Sequence, residues 1–273
     1  LVVSHYKNNL DEIANGIILT QEVNTNGYQP VVVTNTTVNN PIGMFYGYVT
    51  EGIFKDQATL NSAPIQFGQP VGVGAGETAL GDVKYKDVNE DGKIDANDKT
   101  FIGNPHPDLT FGFTNNFKYK NFDCSIFLQG SYGNDVMNLT KRAGTTNASL
   151  YDNQLVDALD YYSDTNTASN NPRPIADTAN NNLLISDRFV EDGSYIRIQN
   201  VTLGYSLPSD VISKYSITRL RLYGTAQNLL TFTDYSGYDP EIGSFNQNVL
   251  LSGIDNGRYP VARTFTIGLN VEF

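Results

Sequence analysis

The chain has 273 residues, 40% of them hydrophobic, and a formal net charge of −11. That composition excludes a disordered chain, gives no basic patch for nucleic acid, and contains no apolar run long enough for a transmembrane helix. A membrane-spanning β-barrel stays open, because its strands carry only a weak alternating signal.

The chain opens on Leu1-Val2-Val3-Ser4, without Met or a basic flank. This is not a signal peptide, and it reads as a start in mid-protein. Residues 1–50 hold one or more strands, punctuated by turn signals at Asn24–Gly27 and Asn39–Pro41.

Residues 87–98 carry the one chemical motif. Asp87, Asn89, Asp91, Asp95 and Asp98 place oxygen side chains at positions 1, 3, 5, 9 and 12 of an EF-hand-like calcium loop, with Gly92 at the sharp turn. Lys93 stands at position 7, which contributes its backbone carbonyl. Ile94 can anchor the loop to apolar neighbours. Four carboxylates around one point repel each other without a cation, so a structural Ca²⁺ is expected; a solvated acidic turn is the bland alternative. Neither flank reads as helix, which speaks against a calcium sensor.

Downstream, alternation with period 2 marks strands at Phe111–Lys120 and Phe122–Tyr132, joined by the two-residue link Lys120-Asn121 as a tight hairpin. Phe127 breaks the pattern on the polar side. Cys124, the single cysteine, falls on the apolar side and can form no disulfide within the chain. In the long segment 133–194, Tyr151, Leu155, Leu159 and Tyr162 have helical spacing, which predicts a short amphipathic helix. Tyr195–Leu207 changes phase at Gln199–Asn200, the mark of a β-bulge. Ile217–Thr233 is a further strand. Arg263–Phe273 alternates Phe265, Ile267, Leu269, Val271 and Phe273 against Thr264, Thr266, Gly268, Asn270 and Glu272. At ~45° tilt it would rise about 26 Å, near the ~25 Å apolar band of outer-membrane barrels.

Short and long connections alternate, and segments 50–110, 133–194 and 234–262 are long and polar. The expected fold is all-β: the C-terminal strands of a large antiparallel transmembrane barrel, with long extracellular loops and a periplasmic C-terminus. Five or six strands cannot close alone, so the remainder of the barrel, with the first strand that pairs Phe273, is expected outside this chain. No nucleophile, acid–base pair or phosphate-binding loop appears, so no enzyme is expected.

Several stretches resemble the SusC/RagA family of TonB-dependent outer-membrane transporters. They are PIGMFYGYVTEGIF at 41–54, the calcium loop through IGNPHPDLTFGFTNNFKYKNFD at 102–123, and QGSYGND at 129–135. DGSYIRIQNVTLGY at 192–205, AQNLLTF at 226–232 and GYDPE at 237–241 follow. The resemblance covers residues 40–273, in order. It implies a barrel of about 22 strands with an internal plug. It further implies a SusD-like surface lipoprotein as lid, possible pairing of transporter–lid units, and TonB-energised import of oligosaccharides or peptides across the outer membrane of a Gram-negative bacterium. The plug and TonB contact lie outside these residues. Tyr235, Tyr238, Phe245 and Tyr259 are candidates to stack on substrate, against ordinary loop packing. A soluble calcium-stabilised β-module for glycan binding or adhesion is the alternative.

Overall fold

The computed structural model describes residues 1–14, 17, 19–24, 30–145, 153–175 and 180–273. Its strands, in chain order, begin with β1 (Val2–Ser4), β2 (Leu19–Val23), β3 (Val31–Thr36), β4 (Met44–Gly47) and β5 (Thr50–Ile53). Helix α1 (Gln57–Ser62) precedes β6 (Ile65–Gln66), β7 (Val83–Tyr85), β8 (Lys93–Ile94) and β9 (Thr100–Gly103). Next come β10 (Leu109–Tyr119), β11 (Phe122–Tyr132), β12 (Asp135–Asn138), α2 (Leu139–Gly144) and β13 (Val190–Asp192). The chain closes with β14 (Tyr195–Ser206), α3 (Ser209–Ile212), β15 (Arg219–Thr233), β16 (Ile254–Asp255) and β17 (Thr264–Glu272).

Six strands form one antiparallel sheet in the order β1-β10-β11-β14-β15-β17. Its register sorts side chains as the alternation requires. Phe117, Cys124, Leu203 and Gly224 stand in one row, and Gly224 pairs with Ile267. This face carries large apolar side chains that nothing covers; Ile267 is 91% exposed, and Phe265, Leu269, Leu222 and Leu203 are exposed too. The opposite face is polar. Ser125, Thr202, Thr225 and Thr266 form one row, and the Thr202 and Thr225 hydroxyls lie 3.0 Å apart. A soluble sheet inverts this arrangement, burying the apolar side; here the open side is the one predicted to face lipid.

Local details match the residues. Lys120 takes the left-handed φ of +52° that a two-residue hairpin turn demands. The β14 register shifts between Ile198 and Asn200, and this bulge keeps Ile198 and Val201 on the same apolar face despite their odd spacing. Phe127 does point to the polar face, where a Cβ on Gly112 would lie 3.3 Å from its ring.

The three long segments all leave the same end of the sheet and fold together into a cap. Val23, Val33, Phe45, Met137, Leu139, Ile185, Phe189, Leu251 and Ile254 make one core, drawn from residues 23–45 and from the second and third segments, with Ile102 of the first packed against it. Tyr48, Ile53, Val83, Tyr85, Ile94 and Tyr162 make a second. Strand β12 pairs with β13 and with β16, stitching two long segments to each other. Of the strands described within residues 1–50, β1 joins the large sheet, whereas β2, β3 and β4 form a four-stranded sheet with β9 in the cap, in the order β2-β3-β4-β9.

The predicted amphipathic helix is corrected. Between Leu155 and Tyr162 the chain makes only a 3₁₀ turn at Val156–Leu159, and Leu155 is extended at φ −71°, ψ 157°. Isolated helical spacing over so few residues cannot outweigh the cost of nucleation. Tyr162 is buried while Leu159 is exposed, so the predicted stripe does not share one face. Tyr151 and residues 25–27 of the first turn signal lie outside the described residues.

Candidate functional site

Residues 87–98 fold as a tight loop held by its own carboxylates. Gly92 sits at φ +86°, where a side chain would be strained. Its N–H donates to Asp87 Oδ2 at 2.8 Å, the Asp91 N–H to Asn89 Oδ1 at 3.0 Å, and the Lys93 N–H to Asp91 Oδ1 at 3.1 Å. Asp98 is fully buried and closes the ring: its carboxylate accepts the N–H of Val88 at 2.9 Å and of Asp95 at 2.8 Å. Ile94 is buried in the second core, as its position in the loop predicts. The flanks are strands β7 and β9, not helices.

The donors suit a hard cation in kind, since all are oxygens. They are not gathered on one point. Among the described residues no group of three or more His, Cys, Asp or Glu stands close enough together to hold a metal ion. The Lys93 ammonium acts as local counter-ion instead, 2.8 Å from Asp95 and 3.8 Å from Asp91. Its hydrogen bond to Asp95 raises the Lys93 pKa, and the same bond, with the Asn97 N–H, lowers that of Asp95. Tyr48, beside this loop, is pushed up to about 12 by burial and by Asp98 and Asp95.

The four aromatic candidates of segment 234–262 fall in different settings. Tyr235 is corrected: it is 5% exposed, and its hydroxyl donates to Asp255 at 2.5 Å, so it offers no ring face to a ligand. Burial and then Asp255 drive its pKa far up. Phe245 packs against the first core. Tyr238 and Tyr259 are exposed, Tyr259 to 88%. A separate cleft of about 560 Å³ opens between α1 and residues 161–174, with Leu60, Val71, Val73, Tyr161, Tyr162 and Pro174 in its wall.

No family model matches the sequence. TonB-dependent receptor P3 of Formosa agariphila is 39% identical over 236 residues, covering 85% of this chain and 22% of that receptor. TonB-dependent receptor SusC of Bacteroides thetaiotaomicron is 32% identical over 192 residues, covering 69% of this chain and 17% of SusC. The RagAB peptide importer in its 'open-open' state superposes with a TM-score of 0.70 at 18% identity, over 99% of this chain and 26% of that one. The chain belongs to the SusC/RagA family of TonB-dependent receptors. It spans about a fifth of the length of the curated TonB-dependent receptors it matches.

Two buried ion pairs in this SusC/RagA-type chain escaped the sequence reading. Arg197 of β14, 1% exposed, lies on the polar face of the sheet. It donates to Asp239 at 2.5 Å, to Glu241 at 2.7 Å and to the Thr231 hydroxyl at 2.9 Å. Burial pushes the Asp239 carboxyl up, but the N–H groups of Glu241 and Val261 together with Arg197 outweigh it and hold it below the usual carboxylate range. In the cap, Asp82 is 1% exposed and accepts from Arg173, Asn180, Asn182 and the Ala79 N–H. Both sets join segments far apart in sequence, so no local spacing marks them. The YIRIQN and GYDPE strings contain Arg197, Asp239 and Glu241, the one signal for the first set; no string singled out marks the second.

Proposed function

We propose that the chain is part of the wall and outer surface of an outer-membrane importer, energised through TonB and taking up oligosaccharides or peptides. The observation that carries this reading is the large sheet: one face apolar and uncovered, the other polar, with every long segment leaving the same end. In a barrel wall the first face meets lipid and the second an aqueous lumen. The SusC name of one relative and the peptide importer among the solved structures agree with a nutrient cargo. The cap then lies outside the cell, where a SusD-like lipoprotein closes over it, and Phe273 lies at the periplasmic rim. The open edges of the sheet, β17 on one side and β1 with the rest of β10 on the other, are paired by the rest of the receptor.

Calcium belongs to the same proposal. Asp87, Asn89, Asp91, Asp95 and Asp98 with the Lys93 carbonyl would hold Ca²⁺ only if the ion draws them in from their present spread, and it would then supply the positive charge that four carboxylates need and stiffen the cap. Tyr238 and Tyr259 are the exposed rings of segment 234–262 left to contact cargo or lid.

Deletion of the receptor gene tests the transport reading. Uptake of a labelled oligosaccharide or peptide mixture is expected to fall in the deletion strain and equally in a strain lacking TonB. Unchanged uptake of every cargo class, with the receptor expressed, would refute it.

A further inference from the structure

The end of the large sheet opposite the cap carries a basic island in a chain of net charge −11. A cleft of about 540 Å³ opens there, between the β10–β11 turn and the start of β15. Four of its eight lining residues are cations, Lys118, Lys120, Arg219 and Arg221, and one is an anion, Asp123. Arg221 reaches over β14 to bind Asp123 of β11 at 2.9 Å through Nε and 2.5 Å through Nη2. Gly204 makes the crossing possible: a Cβ there would lie 2.4 Å from Arg221 Nη2 and 2.5 Å from Asp123 Oδ1. Arg219 meets Glu272 at 3.3 Å. Both acids are thereby matched. Among the described residues neither Lys118 nor Lys120 has a carboxylate within ion-pair distance, so the surplus positive charge belongs to the two lysines.

The cleft lies across the rim of the sheet. Lys118 and Asp123 pair in register on the polar face. Phe122, which lines the cleft, belongs to the apolar face, in the row Tyr119, Phe122, Tyr205, Leu222 and Leu269. The Lys120 ammonium lies on that apolar side too, 5.4 Å from the centre of the Tyr119 ring. Tyr119 and Phe122 are exposed, and Phe122 stacks on Tyr205 with ring centres 4.6 Å apart. Lysine above uncovered aromatic rings at a strand end suits the boundary between hydrocarbon and water: the rings meet the outer acyl carbons, and the ammonium reaches the headgroups.

Charge and apolar surface together select the occupant. Free phosphate would match the lysines but leave Tyr119 and Phe122 bare. A zwitterionic lipid would cover the rings but bring an ammonium of its own to a site already in cationic excess. An anionic phospholipid satisfies both, its phosphodiester meeting the lysines and its acyl chains following the apolar row.

We propose that this cleft binds the headgroup phosphate of an anionic phospholipid. Lys120 meets the phosphate from the apolar side and Lys118 from across the rim, with the acyl chains against Tyr119, Phe122 and Tyr205. The proposal rests on the reading of the sheet as a membrane-spanning wall and is independent of which cargo is transported.

The test places the intact receptor in nanodiscs of phosphatidylethanolamine with about one tenth phosphatidylglycerol, an anionic surface of modest charge. p-Benzoylphenylalanine replaces either Asn121 at the cleft or Ile267 on the apolar face away from the rim, and mass spectrometry identifies the lipid adducts. At position 267 the adducts should follow the lipid mixture. At position 121 phosphatidylglycerol should be enriched roughly fivefold over its share, the gain that one lysine makes at an anionic surface. Lys118→Gln/Lys120→Gln should abolish the enrichment. Raising salt from about 0.05 to 0.5 M should reduce it with both lysines present, a measurement that needs no charge variant to assemble. Lipid adducts at 267 combined with unenriched lipid, a peptide adduct or no adduct at 121 would overturn the proposal and leave the wall in place, as would enrichment that survives loss of both lysines or is indifferent to salt. Absence of lipid adducts at 267 would overturn the wall itself.

Discussion

Arg197 and Asp239 form the buried ion pair that fastens the last long segment to the sheet. Their atoms meet at 2.5 Å with side chains 2% and 4% exposed, 42 residues apart in the chain. A charge so placed is tolerable only while its partner is present. Asp239→Ala leaves the guanidinium with Glu241, itself partly exposed, and is expected to destabilise the anchored segment by about 3–5 kcal/mol. Protease nicking within 234–262 of the detergent-purified receptor reads this directly; a nicking rate equal to the native one would contradict it.

The same anchor sets a pH dependence. Asp239 is held below its ordinary pKa, and so is Glu191, whose burial is outweighed by the Ser236 N–H, Lys141 and the Ser236 hydroxyl. A carboxyl lowered in the folded state contributes stability that is complete above its unfolded value, near 4, and is lost as pH falls through the folded value. Hydrogen exchange across 234–262, corrected for intrinsic rates, should be constant between about pH 7 and 5 and rise below about 4. Asp239→Asn should flatten that rise.

Gly204 predicts a steric effect. A methyl group there collides with both partners of the Arg221–Asp123 pair. Gly204→Ala is expected to cost about 1–3 kcal/mol, the usual range for overpacking, and to lower the temperature at which the assembled receptor loses its heat-modifiable gel mobility. Gly204→Ala in an Asp123→Asn, Arg221→Gln background should cost less, because the obstructed pair is already gone.

Lys93 predicts competition with calcium. Its ammonium neutralises Asp95 and Asp91. Removing it by Lys93→Met frees both carboxylates and leaves the backbone carbonyl in place, so calorimetric Ca²⁺ affinity should rise, whereas Asp91→Ala should weaken it. Absence of binding heat in native and Lys93→Met receptors alike would remove calcium from the account.

The wall of the sheet was legible because period-2 alternation and turn chemistry are local. β10, β11, β14, β15 and β17 lie within two residues of the expected spans, and the phase change at Gln199–Asn200 is a bulge. The cap was not legible in the same way. Residues 1–50 were expected to hold one or more strands, but no local pattern says that β3 belongs with β4 and β9 instead of the wall. Asp82 and Arg173 meet across 91 positions, and such long-range partners leave no trace in spacing. Tyr235 read as a loop aromatic; its burial depends on Asp255, twenty positions away. The helical spacing ending at Tyr162 failed because burial there is set by packing in the second core, not by a helix.

The orientation of the wall is the central claim, and cysteine labelling on whole cells tests it most directly. In a Cys124→Ser background, a membrane-impermeant maleimide should label Tyr259→Cys on intact cells. It should label Asn121→Cys only after the outer membrane is opened, and Ile267→Cys in neither condition. Equal labelling of Tyr259→Cys and Asn121→Cys on intact cells, or ready labelling of Ile267→Cys from water, would contradict a membrane-spanning wall with its cap outside.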